Sequence, residues 1–421
     1  MKRLLLSVLV VLTIATPATA NAAQLLVPMD ESQTNHLKAY GLAFKVLKKG
    51  QPISWMLNYR GGSFLMPASG FVDVEARLMG VELERVSAAD VAAIRRTVAD
   101  ENMDEVLLEV PPRIAIYAPP NHQPWDDAVT LALTYAEIEF DTIFDTDVLA
   151  GGLSEYDWLH LHHEDFTGQY GKFYMNFGRT QWYQEQQQFM EDLAGSLGFT
   201  TVRELKGAVA LRIKEYVSGG GFMFAMCSAT DTIDIALAGL GVDFAPSVFD
   251  GSPIEAGFSE RRLNYDNSLA FENFRLQTDP AVYEYSDIDT SNYASMRGAE
   301  ADYFTLFEFS AKHDPVPTML TQNHRNVING FLGQTTGFQR RVLKEHVTVL
   351  AEVEGTDEIR YLHGNLGRGT FTFYGGHDPE DYTHQVGDPP TDLDLHPDSP
   401  GYRLILNNIL FPAAKKKPQK T

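Results

Sequence analysis

Three short stretches of this 421-residue chain carry side chains able to make and break bonds. The first surrounds Cys227, the only cysteine, in GGGFMFAMCSATDTIDIALAG at residues 219–239. Glycines release a short apolar strand at 222–226, and Cys227 stands where that strand must stop. Ser228, Ala229 and Thr230 then lead into a helical stretch at 231–238. A strand, a sharp turn bearing a nucleophile and a helix make a nucleophile elbow. That turn needs small residues two positions either side of the nucleophile, and Ala225 and Ala229 meet the need. The same residues also suit a cysteine buried as a small hydrophobe, so an elbow reading and a core reading both stand here.

The second stretch is His160-Leu-His162-His163-Glu164-Asp165. Alternation along a strand places His160, His162 and Glu164 on one face and His163 and Asp165 on the other. Imidazole and carboxylate groups suit zinc or iron. Three histidines on one strand cannot all face one ion, so a metal would need His377 or His384, with His160, His162 and His384 as the candidate set. Substrate binding by His160, His162, His163 and Glu164, or plain structural hydrogen bonding, are the alternatives.

The third stretch is Gly375-Gly376-His377-Asp378-Pro379-Glu380-Asp381, with His384 shortly after. It follows an apolar strand, and the two glycines let the chain turn so that His377 projects at the sheet edge. A cysteine nucleophile needs a base to take its proton and a carboxylate to orient that base. His377 with Glu380 or Asp378 fits those roles, and such chemistry needs no cofactor. Arg60, before Gly61 and Gly62, is a further candidate as an anchor for an anion or carboxylate.

The elements around these residues predict an α/β fold. Strands at 25–29 and 53–57 flank a helix at 35–47, and Ser87 to Asp90 opens another helix with a capping-box pattern. After Pro111-Pro112, strands at 114–117 and 140–144 flank a helix at 125–138. Further strands follow at 156–162 and 222–226, with helices at 180–194 and 206–217. Strands return at 318–320, 347–353, 360–363 and 370–374, and a helix at 399–410 closes the chain. Strands alternating with helices predict a doubly wound, mostly parallel sheet of flavodoxin-like type. Ligands of such sheets gather at the carboxyl ends of the strands. Residues 21–110 form an N-terminal β-α-β region and 111–412 the main domain. Within it, 249–314 lacks a sustained period yet is rich in aromatics, and reads as a packed insertion or lid.

Composition narrows the partners. Residues 1–20 have Lys2 and Arg3, an apolar run and Ala18-Thr19-Ala20, the pattern of a secretory signal peptide. The protein is therefore expected to be exported, to the periplasm where the cell has two membranes. No apolar run reaches spanning length, so no membrane span is expected. A net charge of −22 repels nucleic acid, and only the tail at 413–421 is basic. A small-molecule or cell-envelope substrate remains as the expected partner.

The AMCSA elbow, the late GGHDPE and the alternating strands resemble the class I glutamine amidotransferase-like superfold. The resemblance implies Cys227 as nucleophile, His377 as base and Glu380 as orienting acid. His377 and Glu380 stand three apart, where the family spacing is two. GNLGRGTFTFYGGH at 364–377 also resembles the end of ThuA-like proteins, relatives linked to sugar metabolism. The whole chain, notably VPMDESQTNHLKAYG at 27–41 and GGHDPEDYTHQVGDPP at 375–390, is similar to exported bacterial proteins labelled asparagine synthetase B. Residue 2 is Lys and the only Cys is at 227, so literal asparagine synthesis is not expected. The resemblance implies an exported cysteine hydrolase acting on an amide or ester. Its alternative is a non-catalytic or metal-assisted ThuA-like protein that binds a sugar or envelope fragment.

Overall fold

The computed structural model describes residues 24–120, 127–314, 316–320 and 325–414. The expected signal segment and the tail from 415 lie outside the described residues.

The first strands are β1 (Gln24–Val27), β2 (Ile53–Leu57), β3 (Ser63–Pro67), β4 (Glu84–Val86) and β5 (Asp104–Leu108). They form a separate sheet in the order β4-β1-β3-β2-β5, with every neighbouring pair antiparallel. The expected helix is present as His36–Lys48, capped by Asn35, whose side chain accepts from the Lys38 N–H. Yet β1 and β2 do not pair. The chain reverses after β2 through left-handed Asn58, Arg60 and Gly62, a link too short for a crossover, so β3 enters as an antiparallel neighbour between them. The expected β-α-β unit is thus split. One face of this sheet (Leu25, Val27, Trp55, Phe64, Met66) shares the large core under helix His36–Lys48. Its other face (Leu26, Met56, Leu65, Val86) is covered by helix Ala88–Asp100, which starts on the expected Ser87/Asp90 capping box.

The remaining strands are β6 (Ile114–Tyr117), β7 (Asp141–Ile143), β8 (Trp158–Leu161), β9 (Phe222–Met226), β10 (Tyr303–Leu306), β11 (Val327–Asn329), β12 (Phe338–Gln339), β13 (Thr348–Glu352), β14 (Glu358–Leu366) and β15 (Gly369–Tyr374). They form a ten-stranded sheet in the order β11-β10-β13-β14-β15-β9-β8-β6-β7, with β12 on β14. The pairs β7-β6, β6-β8, β8-β9 and β9-β15 are parallel. From β15 to β11 every pair is antiparallel. The doubly wound, mostly parallel flavodoxin-like sheet expected from the sequence is therefore wrong: the sheet is mixed, and a second antiparallel sheet stands beside it. The physical reason is connection length. Parallel neighbours need a crossover of about a dozen residues, whereas β14 returns directly into β15 with Leu366 opposite Gly369.

Helices cover both faces of the parallel half. Alternation sends Ile114, Ile116, Trp158, Phe224 and Met226 toward helices Ala128–Tyr135 and Pro400–Leu410. Ala115, Leu159, Leu161, Met223 and Ala225 face helices Gln181–Ser196, Val202–Gly219 and Ala229–Ala238. Residues 249–302 fold as short helical turns and loops pinned to the elbow helix, and 303–306 enter the main sheet as β10. Asp234 of that helix accepts the N–H groups of Leu269, Ala270 and Phe271 at 2.6, 2.7 and 2.9 Å. Among the described residues, no helix is long and apolar enough to cross a membrane.

Candidate functional site

The parallel register brings the carboxyl ends of β8, β9 and β15 side by side, and these ends carry the three candidate stretches. Cys227 follows β9 directly. Its φ is 49°, a left-handed conformation that costs a residue with a β-carbon about 1–2 kcal/mol. Neighbours on both sides hold the strained turn. The Cys227 N–H donates to the Gly376 carbonyl at 3.1 Å, and the Ala229 N–H donates to the His162 carbonyl at 2.9 Å. The expected strand, sharp turn and helix are therefore present, and backbone strain is stored at Cys227.

The cysteine sulfur lies under a loop from the antiparallel half. The Gln334 N–H reaches Sγ at 3.2 Å, and the N–H groups of Ser228 and Thr335 also act on it. Burial pushes the thiol up to about 11, against the pull of those three donors. The donor loop is itself anchored. Arg360, fully buried, donates to the carbonyls of Phe331 and Thr336 at 3.2 Å each, one at either end of the loop. It also grips both oxygens of Asp302 at 2.8 Å and Glu358 at 2.7 Å. Arg297 completes this neutral quartet.

His377 and Cys227 line one cleft of about 370 Å³, together with His163, Phe173, Tyr283, Gln334 and His384. Behind His377 runs a polar chain. Its Nδ1 lies 3.0 Å from His162 Nε2, and His162 Nδ1 lies 3.3 Å from Asp127 Oδ1. A carboxylate only accepts, so with the His162 proton on Nδ1, the nitrogen nearest Asp127, its Nε2 would take the His377 Nδ1–H. That leaves the lone pair of His377 on Nε2, the form a general base needs. Asp127 suits the end of such a chain. Burial alone would raise its carboxyl, but His160 and His162 outweigh that and hold it well below the usual range. It also caps helix Ala128–Tyr135 by accepting from the N–H groups of Val129 and Thr130.

The other expected residues are placed as follows. His160 is buried, with Nδ1 on the Phe224 carbonyl at 3.1 Å and Nε2 3.2 Å from Asp127. His163 is half-buried at the cleft, and burial together with His162 and His377 holds its ring well below the ordinary imidazole range. Asp378 anchors its loop, accepting from the Tyr402 hydroxyl and the Glu380 N–H at 2.9 Å each. Glu380 turns to His396 at 3.1 Å, while the Nδ1 of His377 goes to His162. Glu380 thus does not take the orienting role. Arg60 sits on the five-stranded sheet, its charge spent on Asp30 and Glu84, and it does not line the cysteine cleft. The metal set His160, His162 and His384 is not assembled. Among the described residues, His160 and His162 group with Asp127, and His384 groups with Asp381 and Asp388.

Asp127 and the 331–336 loop escaped the sequence reading. A signal for Asp127 exists: an acidic helix cap just past β6 falls at the carboxyl edge of a parallel sheet.

Glu164 gives a pH test. Burial lifts its carboxyl to about 7, Lys206 pulls it down, and Asp145, Asp165 and Asp127 push with the burial. An acid with a raised folded pKa makes the folded chain bind more protons than the unfolded one. Between about pH 4.5 and 7, stability therefore falls as pH rises. Glu164→Gln should stabilise the protein at pH 8 by up to about 3 kcal/mol and change it little at pH 4. Urea denaturation at both pH values checks this, and an equal effect at the two would refute the assignment.

No known protein family and no curated protein matches the sequence. Among solved structures, the cytoplasmic protein STM3548 from Salmonella typhimurium aligns over 72% of this chain and 100% of its own, at 10% identity and a TM-score of 0.34. The cytoplasmic protein STM1381 from Salmonella typhimurium LT2 aligns over the same shares, at 12% identity and a TM-score of 0.35. Gan42B, a GH42 beta-galactosidase, aligns over 64% of this chain and 28% of its own, at 10% identity and a TM-score of 0.24. Similarity this distant carries neither fold nor function to the present chain.

Proposed function

We propose that the protein is a cysteine-dependent hydrolase that opens an amide or ester through a thioester on Cys227. The observation that carries this reading is the polar chain Asp127–His162–His377, which ends in the cleft that Cys227 also lines. In the reaction, Sγ attacks the acyl carbon while its proton passes to His377 Nε2. The amine or alcohol leaves with that proton, and water, deprotonated by the same nitrogen, then frees the acid. Asp127 orients His162 and through it the base. The N–H groups of Gln334, Thr335 and Ser228 offer charge stabilisation beside the sulfur.

A second reading, a non-catalytic or metal-assisted binder of a sugar or envelope fragment, draws on the same thiol. Cys227 is 2% exposed and held up to about 11, so it is protonated at neutral pH until a base takes its proton. Intact-protein mass spectrometry distinguishes the two. Incubation with activated esters and anilides should give an acyl adduct on Cys227 that a nucleophile such as hydroxylamine removes. A panel of acyl donors that leaves the mass unchanged, with no product released, would defeat the hydrolase reading.

A further inference from the structure

We infer that His162, His163 and His377 form a binding site for a divalent transition-metal ion of the zinc class. Each offers one ring nitrogen, and the three donor atoms lie within 4.8 Å of one another. His162 Nε2 and His377 Nδ1 face each other at 3.0 Å. Nitrogens on a tetrahedral zinc, with bonds of about 2.0–2.1 Å, stand roughly 3.3 Å apart. A small opening of this pair therefore admits an ion in place of the proton it now shares, and that proton moves to His377 Nε2 so that both rings bind as neutral imidazoles.

The surroundings fit a metal on three counts. The outer shell is in place, because Asp127 Oδ1 lies 3.3 Å from His162 Nδ1. A carboxylate there fixes the ring and makes its other nitrogen a better ligand. The third donor is held in place, since the His163 ring packs against those of His162 and His377 with centroids 5.2 and 6.0 Å away. Finally, His163 and His377 line the cleft of about 370 Å³, which leaves room for water or a substrate atom as the fourth ligand. The three donors come from two strand ends that flank β9, so β8 and β15 set their spacing before any ion arrives.

Two other groupings of donors do not compete. In Asp127, His160 and His162, Asp127 already accepts the N–H groups of Val129 and Thr130 and serves as the outer-shell partner of His162. In Asp381, His384 and Asp388, His384 Nδ1 is already paired with Asp381 at 3.0 Å, on a partly exposed loop.

Metal binding would withdraw His377 from Cys227, so occupancy should silence the thiol. This consequence rests on the hydrolase reading, whereas the binding itself does not. The test uses chelator-stripped full-length protein titrated with zinc by calorimetry and with cobalt(II) by visible absorption. The expected result is one ion per chain with the d–d bands of a tetrahedral cobalt site and no thiolate charge-transfer band. Binding should be lost in His163→Ala and in the bulkier His163→Gln, weakened about 10- to 100-fold in Asp127→Asn, and retained in Cys227→Ala. Circular dichroism confirms that each variant is folded. No saturable binding to the unaltered protein, or full binding in both His163 variants, overturns the site. Thioester formation by metal-free protein, measured with and without zinc, judges the consequence: inhibition supports it and unchanged acylation overturns it. Metal uptake without any acylation would instead sink the hydrolase reading alone.

Discussion

Cys227→Ala is expected to abolish acyl transfer, lowering kcat by roughly 10⁴- to 10⁶-fold, because the nucleophile, its base and the relay act as one unit. The fold should survive. Cys227 makes no covalent link, and alanine occupies the same space less one sulfur. A companion variant adds a sharper test. Cys227 has φ 49°, where glycine carries no β-carbon penalty. Cys227→Gly should therefore be equally inactive yet about 1 kcal/mol more stable than Cys227→Ala. Urea denaturation compares the two, and a glycine variant less stable than the alanine one would show that the elbow is not strained. Residual turnover in the alanine variant would move the chemistry elsewhere, with the three-histidine cluster as the remaining centre.

Arg360→Met should carry the largest cost in stability. The guanidinium is fully buried and neutralises Asp302, itself 0% exposed, while sharing Glu358 with Arg297. Removing one partner from a buried ionic group leaves an uncompensated charge, typically a loss of 3–5 kcal/mol. The same change frees the carbonyls of Phe331 and Thr336, so the loop that places the Gln334 N–H on the sulfur loses both anchors. Cys227 should then react faster with iodoacetamide under native conditions, a readout that a purely structural loss elsewhere would not move. Asp302→Asn in the Arg360→Met background should recover part of the stability, since the two residues are directly coupled. A single-variant loss below about 1 kcal/mol, with unchanged alkylation, would show that the quartet neither supports the fold nor positions the loop.

The local features of the site were legible in the sequence because short-range rules determine them. The apolar run at Phe222–Met226, the small residues Ala225 and Ala229 and the helix after them mark the elbow, although the carbonyls of Gly376 and His162 are what hold its strained turn. The glycines before His377 need no distant partner to turn the chain after β15. Strand direction was only partly legible. The crossover helices of the parallel half show in the 3.6-residue pattern. The hairpin at Leu366–Gly369 and the tight reversal at Asn58–Gly62 decide that their strands run antiparallel, and they required reading link length, not period.

Partner choice lay beyond the sequence altogether. Glu380, three residues from His377, goes to His396, while the ring that meets His377 is His162, 215 positions away. Spacing along a chain measures what can be near. In a sheet whose neighbours are set by strand order, what is near depends on which strands lie adjacent. Here β6, β8, β9 and β15 came together, and only that order put Asp127 behind the histidines and the buried Arg360 behind the loop over Cys227.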